Sequence, residues 1–377
     1  MVQSKPYLPT RVEIGNNMIT FSFSGTSHGI GYTGTICGIP KGVCVNVDNI
    51  NSALATRKSG VGRSSRQTFV DKVVFVGHES ETQFVTDGND LTFTIANKCV
   101  ETRPNITAVR TGHADLVGTI RHPDLTARDV AEIASARSSV CYVVLGCICE
   151  QILQDWGITT NYHVKQIGSV VAKDCANNHT TQPFPCKDSN ALAQMLVEID
   201  SAKSRCDSLG GVVCVTAQVP AGIGEIFPYH KRLDAQLSAH LMGIPSVKGI
   251  SFGVGADYAS MTGVTSHDQL TAKNGHVSYK TNLCGGIVGG VTTGQDVVIN
   301  LVVKPVPTVK GVDTIDTQTL KKVPQQYERA DTCVVPNVGF IAKHIVKARK
   351  NSRLQSANEV LPQSGVLQRK LARNKEA

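Results

Sequence analysis

Three features of the sequence predict an α+β fold: short β-rich runs separated by turn signals, abundant glycine with few aromatics, and two long helical stretches. With 34 glycines and only 5% aromatic residues, the chain can build tight loops between short strands. In chain order, strands are expected at Met18 to Phe23, Val73 to Val76 and Leu91 to Ile95, where β-branched and aromatic residues cluster. A helix is expected from about Ala127 to Trp156, opened by the capping-box-like Thr126-x-x-Asp129 and closed by Gly157. Asp174 to Lys203 is polar around Asn177-Asn178-His179 and Pro183-Phe184-Pro185 and reads as an excursion within the domain. Strands return at Gly211 to Val219 and Val297 to Val303, on either side of a second helix at about Arg232 to Met242, which ends before Gly243 and Pro245. Both helices are long enough to pack across a mixed or antiparallel sheet.

The C-terminus differs in kind. From Ile341 to Ala377 nine Lys/Arg face two acids, so this segment carries +7 of the net +8 and leaves +1 for residues 1–340. A terminal helix followed by a loosely ordered basic tail is expected, with one domain over 1–350 and the tail over 351–377. No short repeat or internal linker divides the rest.

At 41% hydrophobic and 18% charged, 377 residues are neither a disordered chain, a collagen nor a coiled-coil rod. A basic excess can serve nucleic acid, a membrane surface or an acidic small molecule. The near-neutral body and the lack of interleaved aromatics argue against nucleic acid. The longest nearly apolar run, Val140 to Cys149, is half of the roughly 20 residues needed to cross a bilayer, so no membrane association is expected. Nor does the N-terminus place a charged region before an apolar one, and a cytoplasmic protein is expected. The 12 cysteines mostly sit among Val, Ile and Leu and read as reduced packing residues. Only Cys147 and Cys149 form a close pair, and without a C-x-x-C or H-E-x-x-H pattern no metal is expected.

The residues that can carry chemistry lie in glycine-rich turns. Ser24-Gly25-Thr26-Ser27-His28-Gly29 places a histidine between glycines directly after a strand, where the imidazole can exchange a proton at neutral pH. Alone it could be a surface turn. A second glycine-flanked histidine, in Arg110-Thr111-Gly112-His113-Ala114-Asp115, has an arginine beside it, which suits a pocket that grips a phosphate or carboxylate and hands it a proton. Arginines recur in the run from Arg57 through Arg63 to Arg66 and at Arg137, within Ser135-Ala136-Arg137-Ser138-Ser139. A guanidinium fork binds such anions with two hydrogen bonds. Because strongly apolar residues follow Arg137, that guanidinium should meet an acid or an anionic ligand. Glycine clusters again from Thr281 to Gly290, ahead of Lys304-Pro305-Val306-Pro307-Thr308. Such backbone could seat a flat ring and its phosphate, or simply turn between strands.

Taken in order, these segments resemble the chorismate synthase family. The family's G-E-S-H-G and G-I-P-x-G are matched by Gly25 to Gly29 and Gly38 to Gly42, and its R-x-x-G-x-G-R by Arg57 to Arg63. R-P-G-H-A-D is similar to Arg110 to Asp115, and S-S-A-R to Ala134 to Arg137. The P-x-G-x-G stretch that ends in L-D-A is similar to Pro220 to Ala235, and V-K-G to Val247 to Gly249. T-N-x-x-G-G-x-x-G-G, K-P-x-P-T and R-x-D follow at Thr281 to Gly290, Lys304 to Thr308 and Arg329 to Asp331. The blocks are collinear over roughly Ile19 to Lys350.

The resemblance implies a β-α-β sandwich protomer in a homotetramer that binds reduced FMN and 5-enolpyruvylshikimate 3-phosphate. The implied reaction is the anti-1,4-elimination of phosphate, with loss of a C6 proton and no net redox change, giving chorismate. On the family pattern His28 would protonate the departing phosphate, His113 would meet the reduced flavin, and Asp331 would assist proton removal near flavin N5. Arg57, Arg137 and Arg329 would hold anionic groups beside Ser27, with Ser135 in the wall between flavin and substrate. Pro245, Ser246, Asn282, Gly289 and Lys304 to Thr308, with Arg329, fall where family members contact FMN. Arg63, with Arg57, matches positions tied to NADPH in members that reduce their own flavin.

Among the departures from the pattern, Thr26 replaces Glu, Ile133 replaces Arg, Ser138 replaces Glu and Thr332 replaces Pro. Ile133 and Ser138 together remove one charge of each sign from an electrostatic site. Two other outcomes therefore stand beside chorismate synthase: a diverged paralogue acting on another phosphorylated or enol-ether cyclic acid, and a non-catalytic scaffold.

Overall fold

The computed structural model describes residues 10–12, 19–63, 70–98, 100, 103–153, 157–173, 181–273, 276–327 and 331–357. The first half of the chain forms β1 (Thr10–Val12), β2 (Thr20–Gly25), β3 (Gly31–Cys37), β4 (Cys44–Asn46), α1 (Val47–Lys58), β5 (Val74–Phe75), β6 (Gln83–Val85) and β7 (Leu91–Ala96). Three helices follow, α2 (Asp115–Arg121), α3 (Ala127–Ile133) and α4 (Ser139–Leu153). The second half forms β8 (Thr159–Ile167), β9 (Val170–Val171), α5 (Ser189–Ser204), β10 (Gly211–Gln218), α6 (Leu233–Met242) and β11 (Val247–Phe252). It continues through β12 (Leu270–Lys273), β13 (His276–Tyr279), β14 (Ile287–Val288), β15 (Val291–Thr292), β16 (Val297–Val303), β17 (Asp313–Ile315) and β18 (Lys322–Pro324) to α7 (Val335–Ala357).

Two five-stranded antiparallel sheets organise these elements, in the orders β1-β2-β3-β7-β5 and β11-β16-β10-β8-β9. Period-two alternation explains why β16 joins the second: Val297, Ile299, Leu301 and Val303 are buried, while the residues between them are not. Phe21, Ile36, Phe93 and Ile95 of the first sheet pack with Val140, Val144 and Ile148 of α4. Val213, Val215, Ile299 and Leu301 of the second pack with Val338, Ile341 and Ile345 of α7, and α5 and α6 add to the same core. Helix α7 also gives Phe340 to the first core, and Tyr142 and Tyr162 touch both. The α4–α7 pair is thus the filling between two sheets. Gly146 permits that close crossing, since a Cβ there would lie 2.3 Å from the Cβ of His344.

The five strands expected from sequence all form, with ends shifted by one or two residues, and the second helix starts at Leu233. The first helix is a correction. It is broken between Ile133 and Ser139 by a 3-10 turn over Ala136–Ser138, because the Ser135 hydroxyl accepts from Arg137 N (3.3 Å) and Ser138 Oγ donates to Ser135 O (3.1 Å). The capping box at Thr126 and Asp129 is present. Ala127–Leu153 as a whole has the length and hydropathy of a bilayer span, but α4 buries its apolar residues in the core. The supposed polar excursion contains α5, capped by Asp188, whose Ala191, Leu192, Met195, Ile199 and Ala202 are buried at helical spacing.

The terminal helix expected at the basic end forms. Helix α7 runs past the boundary expected at 350/351 as far as Ala357, and it carries its first cations into the core rather than into solvent. Lys347 is 4% exposed and sits on the Glu150 carboxylate; Lys343 lies 4.7 Å above the Phe340 ring. Residues 358–377 lie outside the described residues.

Candidate active site

A cavity of about 1240 Å³ opens between the ends of β2, α1 and α3 and the loops that follow β7 and β16. That is more than the 300–1,000 Å³ usual for one ligand, so it has room for two. Nine Lys/Arg and three Asp/Glu line it among the described residues.

The His28 loop forms one wall. β2 ends at Gly25 with φ +138°, and a Cβ there would lie 2.2 Å from the Gly31 carbonyl, so the hairpin closes this tightly only with glycine. Thr26 accepts from Gly29 N (3.1 Å), and Asn97 Nδ2 donates to the carbonyls of Thr26 (3.0 Å) and Gly29 (2.8 Å). Held so, His28 places Nδ1 2.8 Å and 2.7 Å from the two carboxylate oxygens of Glu132 on α3. Ser27 Oγ lies 3.0 Å from the same nitrogen and also donates to Glu132. Burial raises the Glu132 carboxyl, but the hydrogen bonds from His28 and Ser27 outweigh it and hold the group below its ordinary value.

The His113 loop forms a second wall and repeats the pattern. His113 Nδ1 is 2.5 Å from Asp115 Oδ1, and Arg110 grips the same carboxylate with Nε (2.7 Å) and Nη2 (2.8 Å). Asp115 is fully buried, which pushes its carboxyl up; the bonds from His113 and Arg110 overcome this and keep it well below the usual range. Gln325 ties this loop to the one after β16, accepting from Thr111 N and Oγ1 (both 2.9 Å) and donating to Pro307 O (2.7 Å). Lys304 Nζ donates to Gly112 O, and Lys304 N bonds Ser246 O (2.8 Å), where Ser246 takes φ +76°. Burial, with Lys248 nearby, lowers the Lys304 ammonium.

The floor is a cluster of cations around Asp71, itself 3% exposed. Arg137 Nη2 (2.7 Å), Lys58 Nζ (3.1 Å) and Arg57 Nη1 (3.9 Å) all approach this carboxylate. Arg137 therefore meets the acid its sequence context requires, and also donates to Asn97 Oδ1 (2.7 Å). Arg57 donates to Ser139 Oγ (3.0 and 2.7 Å) and Ala136 O (3.1 Å); burial lowers its guanidinium to about 10, with Arg63 adding and Asp71 opposing. One carboxylate cannot neutralise three cations, so the floor keeps a positive excess. Beside it Arg63 Nη1 pairs with Asp331 Oδ2 (3.0 Å), and Arg63 Nε is buried with no protein partner.

The cavity brings together Ser27, His28, Arg57, Arg63, His113, Ser135, Arg137, Pro245, Ser246, Lys304, Val306, Pro307, Thr308 and Asp331. Three expected residues are not in its lining. Pro305 packs behind Lys304 against Gly210, Asn282 donates to Asp296 O (2.8 Å), and Gly289 turns the β14–β15 hairpin. Arg329 lies outside the described residues. Sequence reasoning gave no role to Asp71, Glu132, Asn97 or Gln325, none of which stands in a motif-like spacing. Asp115 was visible only as the end of a six-residue block. Of the departures, Ile133 is 41% exposed, and Thr332 is buried with its N–H on Gly62 O (2.7 Å). Among the described residues one set of potential metal ligands converges, Cys147, Glu150 and His344, and Lys347 occupies its carboxylate.

Two carboxylate-backed histidines facing a cation-lined cavity in a β-α-β sandwich have the make-up of an enzyme site that suits a polyanionic small molecule. The sequence profile of chorismate synthase matches residues 19–349. "Chorismate synthase 1" of Bacillus thuringiensis (strain Al Hakam) is 33% identical over 353 residues, spanning 86% of this chain and 90% of that protein. "Chorismate synthase" of Geobacillus sp. (strain WCH70) is 33% identical over 352 residues, with the same coverage. A crystal structure of chorismate synthase shares the fold with a TM-score of 0.68 at 24% identity, over 88% of this chain and 91% of that one. The chain belongs to the chorismate synthase family, lyases acting on a phosphate-bearing substrate.

Proposed function

We propose that this chain converts 5-enolpyruvylshikimate 3-phosphate to chorismate and phosphate by anti-1,4-elimination, with reduced FMN as its cofactor. The observation that carries this reading is the cavity: two histidines on carboxylates above a floor of arginines and lysines in cationic excess. A substrate with two carboxylates and a phosphate, beside a flavin phosphate, needs such a surplus of cations.

The residues present fit a flavin. The volume accommodates two ligands, and the buried, unpartnered Arg63 Nε offers an N–H to an anionic or carbonyl oxygen. Ser135, Pro245, Ser246 and the wall from Lys304 through Val306 and Pro307 to Thr308 would hold FMN, with Pro305 behind. When bound, the reduced flavin supplies the electronically difficult part of the C–O cleavage. His28 donates a proton to the leaving phosphate. His113, fixed by Asp115, orients toward the flavin, and Asp331, held by Arg63, assists removal of the C6 proton. Arg57 and Arg137 neutralise substrate anions from the floor, Ser27 supports His28, and Arg329 completes the cation set. NADPH as reductant would use Arg63.

Asn282 and Gly289, outside this cavity's lining, would serve a flavin across a subunit interface in a homotetramer; Ile226, near Gly289, and the following Phe227 and Tyr229 are 70%, 73% and 74% exposed. The ten cysteines among the described residues are free thiols, which supports the reducing cytoplasm as the location. The test is anaerobic incubation with reduced FMN and 5-enolpyruvylshikimate 3-phosphate, with chorismate measured by absorbance. Formation of chorismate is expected. Flavin binding without turnover would favour the diverged paralogue, and no flavin binding the scaffold.

A further inference from the structure

Glu132 is the one carboxylate among the described residues within hydrogen-bond reach of His28, with both oxygens within 2.8 Å of Nδ1. It is 14% exposed on the cavity wall, and it also takes the Ser27 hydroxyl, so two neighbouring side chains converge on it. Other charged groups lining this part of the cavity are cations: Arg128 on α3, Arg137 on the following turn and Lys98 after β7. Asp71 already balances Arg137. Cations alone would disfavour a protonated histidine.

We propose that Glu132 is the positioning residue of His28: its carboxylate accepts the Nδ1 proton, favours the doubly protonated ring and leaves Nε2–H to be given to the departing phosphate. The proton balance follows from this placement. As the C–O bond breaks and its electron pair stays on the phosphate oxygen, the Nε2 proton moves to that phosphate. The ring is left neutral with Nδ1–H still on Glu132, and solvent reprotonates Nε2. Without the carboxylate the Nδ1–H has no acceptor, and the doubly protonated ring that supplies the Nε2 proton loses its counter-charge. Glu132 therefore fixes both the charge state and the direction of the donor.

The donor role rests on the elimination reading, while the coupling between the two side chains does not, and the test separates them. His28 is titrated by NMR in the flavin-free chain carrying labelled histidine, unsubstituted and as Glu132→Gln and Glu132→Asp. Glu132→Gln is expected to lower the His28 titration midpoint by about one pH unit, and Glu132→Asp to restore most of that loss. In turnover, Glu132→Gln is expected to cut kcat about 30-fold with KM within twofold, and to move the alkaline limb of the pH profile down by the same interval. An unchanged midpoint in Glu132→Gln overturns the coupling. A moved midpoint with unchanged kcat and pH profile overturns the donor role. If the unsubstituted chain releases no phosphate, the elimination reading fails and takes the donor role with it, while the NMR arm still decides the coupling.

Discussion

At the scale of single residues, the site repeats one device: a histidine whose Nδ1 rests on a carboxylate, His28 on Glu132 and His113 on Asp115. That leaves Nε2 of each ring to act in the cavity. His28→Ala and His113→Ala are each expected to lower kcat about 100-fold or more, with unchanged circular dichroism, because both sit on loops held by other side chains. Asp115 carries a further expectation about pH. Its folded carboxyl titrates below the unfolded value, so its contribution to stability is complete above about pH 4 and is lost as pH falls through the folded value. Asp115→Asn should thus cost about 3 kcal/mol near neutrality, read by urea denaturation, and the gap from the unsubstituted chain should close in acid. Both histidines were legible in the sequence because glycine flanks them. Their carboxylates were not equally so: Asp115 lies two residues from His113, but Glu132 lies 104 from His28, and only the fold brings it there.

At the scale of elements, the break between α3 and α4 decides the site. An uninterrupted helix would not place Ser135, Ala136 and Arg137 across from Arg57 and Asp71, as the 3-10 turn does. The sequence shows helical apolar spacing on both sides and serines between; the break depends on serine hydroxyls competing for backbone, a preference too weak to read without the tertiary partners. Helix α5 failed to stand out for another reason, since the polar residues ahead of Asp188 obscured its regular apolar stripe. The α4–α7 crossing is the mechanical centre, and Gly146→Val is expected to destabilise the chain by about 3 kcal/mol, measured by denaturant melts, as the new side chain meets His344. Truncation after Ala357 is expected to leave FMN affinity unchanged within twofold, since no residue beyond 341 lines the cavity among those described.

At the scale of the whole molecule, the charge divides unevenly. Residues 1–340 carry a net +1, yet the cavity alone gathers nine cations and three acids, so the remainder of that body is net acidic. The positive field is thus concentrated at the candidate site, where it would steer a polyanionic ligand. Raising salt from about 0.05 M to about 0.5 M is expected to raise the substrate KM about tenfold with a smaller change in kcat. The excess of basic residues was plain from composition, but composition sums over the chain and cannot tell a cavity from a tail. The most direct test of the central claim is the anaerobic stoichiometry of phosphate and chorismate in the unsubstituted chain and in His28→Ala, with reduced FMN present. One phosphate per chorismate, with the flavin still reduced at the end and both products suppressed together in His28→Ala, is the result this account requires. Phosphate release that persists in His28→Ala, or flavin consumed in proportion to product, would contradict it.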